Sequence, residues 1–262
     1  GTTITSTAAG TITTTGENAA DQGTAGGAVL LHSTGAGAIT LLGDITASGG
    51  NTTAGTNDGG DAGVITVRND SGSILIDDVT ATGGTSAGGT AGADGTIQLS
   101  ATTTIDQQAA TDITAAGGNL KLVSTGGDVT LNNVTNTVAI VAADLTGASS
   151  LSYTDADGLS IGMIAQAGTG NAQLAAETGI VATGADETVT VTSLTGQLTV
   201  DDVITTTSGN VELMATAGAL LIDAAVTTTA GTATLTAGTT ITSTAAGTIT
   251  TTGENAADQG TA

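Results

Sequence analysis

Acidic side chains recur at one point of a repeated sequence pattern. Asp44, Asp78 and Asp112 each stand directly before a short pair of one apolar residue and one threonine. If successive turns of the chain stack in register, these carboxylates form a ladder at ~4.8 Å, the spacing of paired strands. Ca²⁺ prefers carboxylate oxygens as ligands, so the pattern predicts a calcium site. The alternative is ordinary turn chemistry, because Asp hydrogen-bonds its own backbone in turns.

A second group of oxygen ligands lies in a glycine-rich stretch at 49–63. Asn57, Asp58 and Asp61 stand there among glycines, and they predict a further calcium position. No segment of the chain has the ligand spacing of an EF-hand. A solvated acidic loop is the alternative interpretation.

The chain offers little for catalysis. Its single histidine is His32, it has no cysteine, and its two basic residues are Arg68 and Lys121. Two aspartates are adjacent in the sequence at 77–78 and again at 201–202, and a pair of carboxylates can catalyse hydrolysis. Adjacent residues on one turn, however, rarely face one cleft. No set of nucleophile, base and orienting group can be assembled from these residues. We therefore expect that the protein is not an enzyme.

The charge balance excludes some partners. The chain has 24 acidic and 2 basic residues and a net charge of −22, and such a surface does not attract nucleic acid. No apolar run reaches the ~18 residues that a membrane-spanning helix needs, so no membrane span is expected in this segment. Self-repulsion on this scale favours bound counterions, which adds to the case for calcium.

Short stretches of alternating apolar and polar residues predict β-strands along the whole chain. They recur in groups of three. The first strand of each group is predicted at 29–31, 64–67, 97–99, 120–122, 138–140, 172–174, 189–191, 211–213 and 233–235. Third strands are predicted at 44–46, 78–80, 112–114 and 133–135, among others. Three strands per turn, stacked on those of the next turn, form an all-β, rod-like, right-handed parallel β-helix (β-solenoid) of about nine turns per repeat.

The interior of this helix must be narrow. The chain has no Phe or Trp and a single Tyr, Tyr153, whereas aromatic side chains normally fill wide interiors. A set of aliphatic side chains is therefore predicted to point inward. They are Val29, Ile39, Leu41, Val64, Ile74, Ile76, Val79, Leu99, Leu122, Leu131, Val134, Val200, Leu213 and Ile222.

The ends of the sequence indicate a tandem repeat. Residues 1–25 recur without change as residues 238–262, at an offset of 237 residues. Such long repeats are typical of architectures in which each unit completes the core of its neighbour. We expect 1–237 to be one repeat and 238–262 to be the start of the next. The first expected partner is another copy of the chain, through end-to-end or lateral contacts in a fibre.

Glycine and threonine predict two surface features. Three consecutive turns carry glycine-rich insertions at the same place, at 16–27, 49–63 and 83–95, and stacking would set them side by side as a fin. Threonines at alternate positions, as at 80 and 82 or 205 and 207, predict exposed threonine ladders. The fin or a ladder offers an alternative function as a binding module for a glycan, a mineral or ice.

Two long phrases resemble a known family. The segments at 188–209 and 210–231, TVTVTSLTGQLTVDDVITTTSG and NVELMATAGALLIDAAVTTTAG, resemble repeats of the filamentous-haemagglutinin-like giant exoproteins of bacteria. That resemblance implies a right-handed β-helical fibre, exported to the cell surface and used in adhesion. It also implies an extracellular location on the bacterial surface, and glycans of a host or neighbouring cell as partners.

Overall fold

The computed structural model describes residues 3–147, 149–168 and 173–252. In this part of the chain all regular structure is β, in 27 strands without a helix. Almost all strands belong to three stacks of parallel strands, which we call faces 1, 2 and 3 in the order in which the chain visits them. The all-β prediction is confirmed.

The strands of faces 1 and 2 run parallel, and each strand pairs with the next one along its face. Face 1 consists of β1 (Ile4–Thr5), β4 (Ile39–Thr40), β7 (Ile74–Ile76), β10 (Ile105–Gln107), β12 (Val129–Leu131), β14 (Leu151–Asp155), β19 (Thr188–Ser193), β22 (Asn210–Ala215) and β25 (Ala233–Ala237). Face 2 consists of β2 (Ile12–Thr13), β5 (Ile45–Thr46), β8 (Val79–Thr80), β11 (Ile113–Ser124), β13 (Thr137–Leu145), β15 (Leu159–Ile161), β20 (Leu198–Val200), β23 (Leu220–Ile222) and β26 (Ile241–Ser243).

Face 3 shares two long strands with face 2. It consists of β3 (Val29–Ser33), β6 (Ile65–Asn69), β9 (Thr96–Ala101), the later parts of β11 and β13, β18 (Ile180–Ala182), β21 (Ile204–Thr206), β24 (Val226–Thr228) and β27 (Ile249–Thr251). β11 and β13 continue around the corner, so faces 2 and 3 form one sheet of 16 strands beside the 9 strands of face 1. Outside the faces, β16 (Met163–Ile164) and β17 (Glu177–Thr178) form an antiparallel pair.

One passage through the three faces is one coil, and the described chain makes nine coils. Each strand pairs with the equivalent strand one coil later, which is the topology of a parallel β-helix. Coil length varies, since Ile39 follows its partner Ile4 by 35 residues whereas Val211 follows its partner Val189 by 22 residues. The extra residues of the long coils lie in loops at the corners between faces.

Inward side chains of successive coils stack on like side chains. On face 1, Ile39 pairs with Ile74 and Ile74 with Ile105, and all three are fully buried. Burying a side chain of this size contributes about 1.5–3 kcal/mol. The prediction of inward residues is confirmed for Val29, Ile39, Leu41, Ile74, Ile76, Val79, Leu99, Leu122, Leu131, Val200, Leu213 and Ile222.

The prediction is wrong for Val64, whose side chain is half-buried. The inward residues of this strand are Ile65 and Val67, because Ile65 pairs with the inward residue Val29 of the preceding coil. Three of the four residues 64–67 are apolar, so the sequence allows both phases of a two-residue alternation. Register with the neighbouring coil selects the phase.

The prediction is also wrong for Val134, which is 62% exposed. The chain turns at this point, and the fully buried Asn136 takes the inward place. The Asn136 amide donates to Leu131 O at 3.0 Å and to Gln107 Oε1 at 3.0 Å. Its Oδ1 accepts from Ile113 N of the preceding coil at 2.9 Å. The expected strand at 133–135 is therefore absent. In its place the chain turns, and Asn136 forms hydrogen bonds to its own coil and to the preceding one.

The strand predicted at 172–174 does not form a face either. Ala172 lies outside the described residues, and Leu174 forms an antiparallel bridge with Ala167. Face 3 of the sixth coil is formed by β18, which pairs with β13 and β21.

A polar group lies inside the otherwise aliphatic sixth coil. Tyr153 and Asp155 are both fully buried, and Tyr153 Oη donates to Asp155 Oδ2 at 2.8 Å. The backbone N–H groups of Val138 and Asp157 also donate to this carboxylate, at 3.0 and 3.1 Å. Burial is the main cause that raises the pKa of Asp155 to about 7, and the Asp157 side chain adds to it, while the Val138, Tyr153 and Asp157 donors act against it.

This pKa predicts that the protein is more stable in mild acid. Between the ordinary value of 3.8 and about 7, the folded chain binds more protons than the unfolded chain, so stability falls as pH rises through this window. The loss for this group reaches up to about 4 kcal/mol. We expect urea denaturation between pH 4 and pH 8 to show this fall, and Asp155→Asn to show a flatter profile. Asp21→Asn, at an exposed loop position, controls for the loss of one charge. An unchanged slope in Asp155→Asn would contradict the assignment.

Candidate functional site

The three glycine-rich insertions stack on one another, as predicted. They lie between faces 2 and 3 in the first three coils and span residues 16–27, 49–63 and 83–95, which together we call the fin. Parallel bridges join Ala19 to Thr52 and Thr52 to Ser86 near the tip. The fin is therefore an extension of the coil stack.

Backbone hydrogen bonds run through the fin from arm to arm. In each insertion one arm leaves the rod and the other returns to it. Hydrogen bonds join Gly50 N to Thr24 O, Gly60 N to Gly50 O, Gly84 N to Gly60 O and Gly92 N to Gly84 O, at 2.8–2.9 Å. Returning arms carry glycine at every third residue, as at 89, 92 and 95, which is the period of polyproline II segments.

The glycines are needed because the arms approach too closely for side chains. A Cβ atom at Gly60 would lie 1.9 Å from Thr24 O, and one at Gly92 would lie 1.9 Å from Gly60 O. Both are backbone contacts that cannot move independently. The inside of the fin is consequently packed main chain, and only its outer surface is available to a partner.

The predicted calcium ligands of the fin are engaged with backbone. Asp58 Oδ1 accepts from Thr90 N at 2.7 Å, and Asp61 Oδ1 accepts from Ala93 N at 2.8 Å. Each donor lies in the next coil. The backbone oxygen of Asn57 accepts from Ser86 Oγ, also in the next coil, at 2.7 Å. These three residues hold coils together, and among the described residues they do not form a group of three converging carboxylates.

The other predicted ligands lie at the corner between faces 1 and 2. Carboxylate oxygens of Asp44, Asp77 and Asp78 lie within 4.8 Å of one another. Asp78 Oδ1 also accepts from Asp112 N at 2.6 Å, and Asp112 accepts from the Thr135 hydroxyl. The structure thus brings Asp44 and Asp78 together, places Asp112 one coil further on, and adds Asp77. The sequence feature that could have identified Asp77 as a further ligand is its position directly before Asp78.

Electrostatics at this acidic corner favour a bound cation. Burial raises the pKa of Asp77, and the neighbouring carboxylates of Asp78 and Asp44 raise it further, against hydrogen bonds from Asp78 N–H and the Gln108 side chain. The repulsion among three carboxylates is relieved by a proton or by a metal ion. Oxygen ligands on a chain of net charge −22 suit a hard divalent ion such as Ca²⁺.

A threonine ladder runs along face 2. Thr13, Thr46, Thr80, Thr114 and Thr137 pair in register from the first coil to the fifth. The sequence predicted threonine ladders of this type. Thr135 is not part of this one, because it lies in the turn before β13. It forms a regular row of hydroxyl and methyl groups.

Comparisons of the chain with protein-family models, with curated proteins and with solved structures find no match. Within residues 3–147, 149–168 and 173–252, no helix is long and apolar enough to cross a membrane. The function is therefore argued from the geometry above.

Calcium is predicted to stabilise the acidic corner. Asp44 is exposed, and we expect millimolar calcium to raise the melting temperature of the native chain above its value in sodium chloride of equal ionic strength. Asp44→Asn should lose this increment because it removes one of three ligands. Asp201→Asn changes an exposed turn residue elsewhere and should keep it. Identical melting in calcium and in EDTA at equal ionic strength would show that these acids are turn residues only.

The packed glycines of the fin predict a sharp difference between two alanine substitutions. Gly60→Ala should destabilise the first three coils, because its Cβ would lie 1.9 Å from Thr24 O. Gly158→Ala should be tolerated, because its nearest neighbour would lie at an ordinary 3.5 Å. Hydrogen exchange of the fin amides compares the two variants. Equal protection in both would contradict the packed arrangement.

Proposed function

We propose that this chain is a structural segment of an extracellular bacterial surface fibre or adhesin, built from tandem β-helical repeats. One observation carries the proposal. The duplicated sequence that starts at residue 238 continues the coil stack in register, with Ile241 paired to Leu220 and Ile249 paired to Val226. The start of the second copy thus supplies faces 2 and 3 of the ninth coil, after face 1 of that coil is formed by β25 of the first copy.

The ninth coil presents an unfinished surface among the described residues. Ile241 is 49% exposed and Ile249 is 48% exposed, whereas their partners Leu220 and Val226 are fully buried. These isoleucines occupy the positions of inward residues, and in the described part of the chain their strands pair with the preceding coil alone. A row of unpaired strand edges beside apolar side chains favours the addition of another coil.

The two copies of the sequence lie on different faces. Ile4 of the first copy is on face 1, and the equivalent Ile241 is on face 2. In the same way Ile12 is on face 2 and Ile249 is on face 3. One period of 237 residues therefore occupies eight coils and one further face.

This offset sets how a tandem array displays its surface. Each repeat would be rotated by one face relative to the one before it, and the original orientation would return after three repeats. At ~4.8 Å between coils, one repeat is about 40 Å long. The fin would then project in three directions around the fibre. Such a display suits a fibre that meets partners from any side, such as the glycans of a host or neighbouring cell.

The threonine ladder favours a second candidate function. Five threonines in register on face 2 form a flat, periodic surface of hydroxyl and methyl groups, which suits binding to ice or a mineral. Retention in an ice-affinity assay, with loss on Thr80→Lys, would support this function over a purely structural role.

End-to-end association is the direct test of the structural role. In sedimentation experiments we expect the average mass to rise with concentration, because the exposed inward residues of the ninth coil can pair with another chain. Ile249→Lys should shift the chain towards the monomer. Val134→Lys places the same charge at a 62% exposed position of the fifth coil and should leave association unchanged. A monomer at all concentrations, or equal loss in both variants, would contradict the proposal.

A further inference from the structure

A hairpin covers part of face 3. It spans residues 163–168 and 173–178 in the described chain, and we call these residues the flap. β16 and β17 pair at its base, and a bridge between Ala167 and Leu174 joins its arms further out. Gly168 of the flap reaches the second and third coils, where it lies close to Thr66 and Gln98.

One lysine fastens the flap to the rod. Lys121 lies on face 3 and is fully buried, and its Nζ donates to Ala165 O at 3.0 Å and to Ala175 O at 2.6 Å. Burial lowers the pKa of Lys121, although Glu177 partly opposes this shift. Lys121, one of the two basic residues of the chain, is therefore engaged in holding the flap. Gln98, also fully buried on this face, has no hydrogen-bond partner for its side-chain amide among the described residues.

A cleft of about 390 Å³ lies between the flap and the coils. This volume falls within the range of small-molecule sites. One wall is formed by Gln173, Leu174 and Ala175 of the flap, and the other by strands and turns of the second to fourth coils, including Arg68, Ser100, Thr102, Val123 and Thr125. The walls are mainly hydroxyl and aliphatic groups.

Arg68 is held in a fixed orientation at this cleft. Its Nε donates to Asp70 Oδ1 at 2.6 Å, and Asp70 Oδ2 lies 2.8 Å from His32 Nε2. The Arg68 side chain is 30% exposed. Its two terminal nitrogens, Nη1 and Nη2, have no hydrogen bond to the described part of the chain. A guanidinium held in this way offers free donors to a ligand without further ordering.

The cleft is neutral on a strongly acidic molecule. The chain has 24 acidic residues, yet Asp70 is the sole carboxylate among the described residues that line this cleft. Asp70 is already paired with Arg68 and His32. Since Lys121 is buried, Arg68 is the one arginine or lysine of the chain whose side chain reaches solvent.

The geometry points to a binding site for a small monocarboxylate, with Arg68 as the anchor of the carboxylate group. Planar guanidinium groups recognise carboxylates through parallel hydrogen bonds. Ser100, Thr125 and Gln173 supply donors and acceptors for hydroxyl or amide groups of the same ligand, and Val123 and Leu174 contact its aliphatic part. A ligand with a single negative charge fits this site. Arg68 is the one accessible arginine or lysine, and the net charge of −22 on the chain repels a multiply charged anion. The site does not depend on the fibre function proposed above.

Two sources of carboxylate satisfy this chemistry, an acidic sugar and the end of a peptide. The test is a titration of the native chain, labelled with ¹⁵N, with sodium glucuronate and with N-acetyl-alanyl-alanine. Glucose and the peptide amide are the neutral controls. We expect saturable shifts in the amide signals of Arg68, Ser100 and Gln173 with at least one carboxylate and with neither neutral compound. The compound that binds identifies the source.

Variants separate the role of Arg68 from general effects. Arg68→Gln should weaken binding about tenfold or more, because it removes charge-assisted hydrogen bonds. Arg68→Lys keeps the charge and the pairing with Asp70, and should weaken binding less. Asn132→Ala is the matched control in a separate cleft of about 450 Å³ that has no basic residue among its described lining, and should have no effect. Absence of saturable shifts with both carboxylates, equal shifts with the neutral compounds, or unchanged affinity in Arg68→Gln would overturn the site.

Discussion

No coil of this protein is complete alone, and this constraint governs the rest of the structure. The inward aliphatic side chains of all coils form one core, and the backbone N–H and C=O groups of each coil find their partners in the adjacent coils. Side chains extend this dependence. Asp78, Asp94 and Asp128 each accept from a backbone N–H one coil later, at 2.6–2.9 Å. Many acids of this chain therefore have a structural use that does not need a metal.

The same constraint explains the composition. Aliphatic side chains fill almost the whole core, and the one tyrosine, Tyr153, is buried beside a carboxylate that accepts a hydrogen bond from its hydroxyl group. Glycine is concentrated where a second layer of main chain packs on the first, as in the fin. Apart from the buried Asp155 and Glu187, the acidic side chains that the structure describes are at least partly exposed, and repulsion between rods at this surface opposes lateral contact.

The sequence predicted most strands well because inward residues repeat with a two-residue period and stack on like residues. Its grouping of the strands was wrong, since the predicted first strands at 29–31 and 64–67 lie on face 3 whereas those at 189–191 and 211–213 lie on face 1. The sequence failed where long-range contacts decide between local alternatives. Val64 and Ile65 are both suitable inward residues, and only pairing with Val29 selects Ile65. Asn136 replaces a strand through hydrogen bonds to Ile113 of the preceding coil and to Thr154 of the next coil. The flap escaped prediction because 172–174 alternates like a strand, so the burial of Lys121 and the cleft at Arg68 could not be foreseen.

The most direct measurement of coil stacking across the repeat boundary is an electron-microscopy reconstruction of three joined copies of residues 1–237. The registers of Ile4 and Ile241 predict one unbroken β-helix in which the fin of each repeat is rotated by a third of a turn from the last. Fins aligned along a single edge, or an interruption of the parallel sheets at each boundary, would contradict this account.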